Sequence, residues 1–156
     1  MQNDQTPNEN NNVDPAARSQ ARHYAIQAMY QWMLSGTLIS VIEGEFIKRQ
    51  IDRKLDLAYF KELIHGIVDC KDELDDEIKP FLNRSMQDID PIELSVLRLA
   101  VFELKTRPEI PYRVIINEAL ELTKRFGSIE GYKFVNGILD RIAKKIRATE
   151  IGMEKR

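Results

Sequence analysis

The sequence predicts an all-α fold, and three observations carry that prediction. Apolar residues recur every three to four positions through most of the chain. No stretch alternates with period two over a convincing length, so strands are not expected. The dipeptide Asp-Pro, a strong helix start, occurs at Asp14-Pro15 and again at Asp90-Pro91. A chain of 156 residues can bury one substantial core, which predicts a single domain of six or seven helices.

Residues 1–13 are Asn-rich and nearly free of large apolar side chains, and they read as a disordered tail. The helical domain is placed at 14–148, with a frayed C-terminal tail at 149–156. Asp14 suits the cap of the first helix and Pro15 its first turn, where a missing N–H costs nothing. Ala21, Tyr24, Ala25, Ala28, Met29 and Trp32 follow at helical spacing until Ser35-Gly36 ends the run. A shorter helix is predicted from Val41 to about Gln50. A longer one begins near Leu57, carries Phe60, Leu63, Ile64, Ile67, Val68, Leu74 and Ile78, and ends or kinks at Pro80. From Asp90-Pro91 a helix runs to about Leu104, with an apolar arc wide enough for a central, largely buried element. Pro111 opens the next helix, whose apolar face holds Val114, Ile115, Ala119, Leu122 and Phe126, and Gly127 suits a left-handed stop. Phe134, Val135, Ile138, Leu139, Ile142 and Ile146 mark a last helix.

Composition narrows the function. No stretch approaches the roughly 20 apolar residues of a membrane span, and the N-terminus lacks a signal pattern, so a cytoplasmic location is expected. Cys70 is the single cysteine, which excludes an internal disulfide. His23 and His65 have no companions at metal-ligand spacing, and the acidic run 72–77 reads as a solvated helix face. With no phosphate loop, triad or metal helix, binding is expected rather than catalysis, and no cofactor. The net charge of −2 conceals an asymmetry: residues 43–93 carry −6, whereas 105–147 carry +5 and 15–42 carry +2. Such a chain can present one basic and one acidic face.

Single-stranded RNA is held by cations on phosphates and by aromatic faces against unpaired bases. Arg18 and Arg22 lie one helical turn apart and share a face, and Tyr30 is available to the same side. Lys133 and Phe134 follow a Gly-bounded turn. Tyr30 and Phe134 also sit at apolar-compatible positions, where core packing competes with stacking, and Trp32 reads as core.

The literal residues add to this. Ala16-Ala17-Arg18, Ala21-Arg22, Ala25-Ile26-Gln27-Ala28-Met29-Tyr30 and Trp32 stand at the start of the chain. Leu97 to Leu104 stands in the middle. Pro111-Tyr112, Asn117-Glu118-Ala119, Lys124-Arg125-Phe126-Gly127 and Phe134-Val135-Asn136-Gly137 follow in order. Over about Ala16 to Arg147 the chain resembles the NusB family of antitermination factors. The resemblance implies an all-helical fold of two packed helical bundles and a role in processive transcription, notably on ribosomal RNA operons. It implies binding of boxA in nascent RNA together with NusE, a protein of the small ribosomal subunit, and assembly with other Nus factors at RNA polymerase. A homodimer is also compatible with it.

Carried over by position, the RNA surface comprises Arg18, Arg22 and Lys133 on phosphates, Tyr30 and Phe134 on bases, and Glu130, an acid that moderates affinity. Glu93 is the expected NusE-facing residue. Ser19-Gln20 stand where family members often have a denser arginine run, which predicts weaker RNA binding without NusE. Two other classes compete. A protein-only adaptor would use the basic third of the chain on an acidic partner. The RNA-binding domain of an RNA cytosine methyltransferase fits poorly, because the chain leaves no room for a methyl-donor fold after Arg147.

Overall fold

The computed structural model describes residues 13–49 and 54–154, and among these it contains eight α-helices and no strand. Of residues 1–13, expected to be disordered, all but Val13 lie outside the described residues, as does Gln50, the expected end of the second helix. Helix α1 spans Pro15–Ser35, α2 Ile39–Lys48, α3 Leu57–Asp69, α4 Lys71–Ile78 and α5 Pro91–Thr106. Helices α6 (Tyr112–Phe126), α7 (Ile129–Ile146) and α8 (Ala148–Glu154) complete the chain.

Local chemistry explains most helix ends. The Asp14 carboxylate accepts the Ala16 N–H, and Gly36, at φ 68°, provides a left-handed stop for α1. Asp90 accepts the N–H groups of Ile92 and Glu93 at the head of α5. Ser128 accepts the Gly131 N–H at the head of α7. Gly127 departs from expectation: its φ of −122° and ψ of −158° are extended, so the α6–α7 turn is not a left-handed stop.

Helix α5 is the shared axis. It is buried from Leu94 to Leu104 and packs against α1 and α3 on one side and α4, α6 and α7 on the other. Helices α1, α2 and α3 pack together on the first side, and α6 packs on α7 on the second, giving the two bundles. The alanines of α1 (Ala21, Ala25, Ala28) are fully buried and allow close helix approach. Gly66 does the same for α3: a Cβ there would lie 2.4 Å from the Phe102 ring of α5.

The expected single helix from Leu57 to Pro80 is two. The chain breaks at Cys70, whose N–H is accepted by the carbonyls of Gly66 and Val68, and Pro80 falls in a following 3-10 turn, Lys79–Phe81. The break redirects Leu74, Asp75 and Ile78 onto α5 and α7. The acidic run is therefore not wholly solvated. Asp75 is buried and makes a two-point contact with Arg98 of α5, at 2.8 and 3.0 Å. Val114, expected in the core, is 42% exposed.

Residues 148–154 form α8 rather than a frayed tail. Glu150 accepts the backbone N–H of Tyr112, supplying a cap that the first turn of α6 lacks locally. Arg147, itself buried, donates to the carbonyls of Leu104, Arg107 and Ile110, neutralising the polar backbone of the α5–α6 connection.

Candidate nucleic-acid interface

The two expected arginines of α1 have different environments. Arg22 is 3% exposed, and its Nε lies 3.0 Å from both carboxylate oxygens of Glu103, which is fully buried. Tyr59 donates its hydroxyl to the same carboxylate, and Glu118 lies 3.7 Å from the guanidinium. Burial disfavours the Arg22 charge, but Glu103, Tyr59 and Glu118 outweigh it and hold the guanidinium above its ordinary range. Burial, then Glu103, pushes the Tyr59 phenol upward, so it stays protonated and able to donate. This corrects the expectation for Arg22: in this fold it is an internal ion-pair partner, not a solvent-facing cation.

Arg18 is half-buried, with its guanidinium 4.4 Å from the centre of the Tyr59 ring. Arg107 approaches that ring at 5.2 Å. Arg18 also lines a groove of about 300 Å³ with Val13, Pro15, Ile110, Pro111 and Val114. Its Nε is buried without a hydrogen-bond partner among the described residues.

The other expected residues gather near the start of α7. Glu130 and Lys133 are exposed, and Lys133 has no ion-pair partner among the described residues. Phe134 is half-buried, and the Arg84 guanidinium lies 4.4 Å from its ring centre. Sequence reading missed Arg84, which lies in an irregular segment with no periodicity to place it. Glu93 is half-buried beside the first turn of α7, where a Cβ on Gly131 would lie 2.7 Å from its carboxylate. Burial, then Asp90, raises the Glu93 carboxyl, while Arg84 opposes the shift. The residue expected to face a protein partner thus adjoins the residues expected to meet RNA. Tyr30 is 37% exposed on α1.

Lys124 and Arg125, at the end of α6, are two further exposed cations. Lys124 pairs with Glu121 at 3.4 Å and lies 5.2 Å from the Tyr132 ring centre. Arg125 has no ion-pair partner among the described residues. His23 stacks on Phe126 at 4.9 Å, which ties α1 to the end of α6. The described residues contain no cluster able to hold a metal and no helix long and apolar enough to cross a membrane.

This geometry, with cations and half-exposed rings displayed on a helical scaffold, has relatives. A protein from Nitrosococcus oceani named transcription antitermination protein NusB is 52% identical over 133 residues, covering 85% of this chain and 89% of its own length. One of the same name from Saccharophagus degradans is 46% identical, covering 89% of this chain and 93% of its own. A chain in the crystal structure of antitermination factors NusB and NusE in complex with dsRNA superposes with a TM-score of 0.78 at 27% identity. That match covers 85% of this chain and 99% of the other. The T. maritima NusB structure superposes with a TM-score of 0.69 at 34% identity, covering 81% and 90%. The family model described as NusB family matches residues 19–144, and with these relatives it establishes that the chain belongs to the NusB family.

Proposed function

We propose that this chain is a transcription antitermination factor that binds boxA of nascent ribosomal RNA together with NusE. It would act with other Nus factors to keep RNA polymerase processive. The observation that carries the reading is the set of exposed cations flanking the α6–α7 turn, Lys124, Arg125 and Lys133, with the half-buried Phe134 next to Lys133 in α7, on a fold shared with a relative solved with NusE and dsRNA. Arg18 and Lys133 contact phosphates, Phe134 and Tyr30 meet bases, and Glu130 limits affinity at the edge of the surface. Glu93 serves the NusE side. Arg22 acts through Glu103 by fixing α1 on α5, as a positioning residue. The protein works by binding, without catalysis or a cofactor, in the cytoplasm, and residues 14–148 constitute the RNA-binding domain.

The test is a titration of labelled single-stranded boxA, its duplex and a scrambled control, with and without NusE, at two salt concentrations. Preference for boxA that grows with NusE is expected. Equal, weak and salt-sensitive binding to all three RNAs would replace this reading with a protein-only adaptor.

A further inference from the structure

Helices α1 and α6 run in the same direction on either side of a groove. Ser19 donates to Glu118 across it at 2.7 Å, and one turn on, His23 stacks on Phe126. The groove has a volume of about 450 Å³, and its lining includes Gln20, His23, Glu121, Lys124 and Arg125. Its charges are unequally matched. Glu118 is held by Ser19 and Arg22, and Glu121 is paired with Lys124. Arg125 is exposed and has no carboxylate partner among the described residues, so its charge remains uncompensated.

His23 supplies a directed donor. The Gln27 amide nitrogen lies 2.9 Å from His23 Nε2; in the tautomer in which Nε2 accepts from it, the ring proton is on Nδ1. Nδ1 is buried and makes no hydrogen bond among the described residues. A donor without an acceptor is unfavourable, and an oxyanion that reached it would satisfy it. His23 and Arg125 line the same groove, and burial, then the Arg125 charge, holds His23 below its ordinary pKa.

We propose that the α1–α6 groove is a phosphodiester subsite, with Arg125 supplying the charge and His23 Nδ1–H the directed hydrogen bond. The proposal rests on RNA binding as argued above and adds a contact to that same surface. Ser19 and Gln20 put no charge on the α1 side, so α6 provides it. Glu118 lines both this groove and the one beside Arg18, while Arg125 precedes the turn into α7. The subsite therefore joins the Arg18 end of the surface to Lys133 and Phe134 in one phosphate track.

The experiment is a salt series of boxA binding by the full chain with NusE, comparing wild type, Arg125→Ala, Arg125→Lys, His23→Ala and Phe134→Ala. Arg125→Ala should weaken binding roughly tenfold, the loss of one charge-assisted hydrogen bond. It should also flatten the slope of log K against log salt by about 0.7. Arg125→Lys should restore the slope but not the full affinity, since a point charge replaces a planar fork. His23→Ala should weaken binding with an unchanged slope. Because Arg125 is exposed and has no ion-pair partner among the described residues, its variants should melt like wild type. Wild-type affinity and slope in Arg125→Ala, with Phe134→Ala still weakened, would overturn the subsite and leave the proposed function standing. A wild-type chain that does not prefer boxA to scrambled RNA would overturn both.

Discussion

The two ends of the basic surface use the same side-chain chemistry for different purposes. At the head of α1, Arg22 is fixed to Glu103, while Arg18 and Arg107 crowd the Tyr59 ring. At the α6–α7 turn, Arg125 and Lys133 are exposed, and neither has an ion-pair partner among the described residues. A guanidinium already neutralised by a buried carboxylate cannot release counterions from a phosphate as a free one does. A cation's partner, more than its presence in a helix, decides whether it serves the fold or a ligand.

The largest expected effect tests the locked end. Glu103→Ala leaves the Arg22 charge buried without its main partner and should cost about 3–5 kcal/mol of stability in urea unfolding. Arg22→Ala should cost a similar amount, and its RNA affinity should recover to within a few-fold of wild type at low temperature, where the variant is folded. A folded Arg22→Ala protein with unchanged stability and strongly reduced RNA affinity would break the comparison. Phe134→Ala tests the free end: about 1–3 kcal/mol of RNA affinity should be lost if the ring meets a base. Its thermal midpoint should move less than that of Glu103→Ala. Arg18 lies between the extremes, half-buried and with no carboxylate partner among the described residues. Arg18→Ala should flatten the salt slope by at most about 0.7, and an unchanged slope would assign it to the locked end.

The smallest effect is a pH dependence. The folded state holds His23 neutral, below its ordinary value of 6.5, through burial and then Arg125. The unfolded chain therefore takes up the proton first, and the contribution, present above pH 6.5, is lost as pH falls through the depressed folded value. His23→Gln should show a smaller drop in the urea midpoint than wild type between neutral and mildly acidic pH.

Much of the fold was legible because helix starts are local. Asp14-Pro15 and Asp90-Pro91 announce themselves within three residues, and the caps are where the dipeptides place them. The break at Cys70 was not legible. It has neither Gly nor Pro at the joint, and its reason is tertiary: α4 turns to set Asp75 against Arg98, 23 residues away. Arg22 was misread for the same kind of reason, since Glu103 lies 81 residues downstream and nothing near Arg22 reveals it. Glycine chemistry suggested a left-handed Gly127, yet the turn into α7 leaves α6 through extended backbone. Helix α8 was missed because its polar sequence gives little periodicity, and its anchor is the Tyr112 N–H. At the site, Lys133 and Glu130 are exposed, but the pairing of Arg84 with Phe134 required the fold.

Arg147 joins three carbonyls of the α5–α6 connection from about 40 residues further along the chain. Those carbonyls are protected only while α7 is docked, so the connection cannot open by itself. In native-state hydrogen exchange, the amides of residues 107–115, the last turn of α7 and the first turn of α8 should exchange as one cooperative unit. They should share a single opening free energy and denaturant dependence, although they lie far apart in sequence.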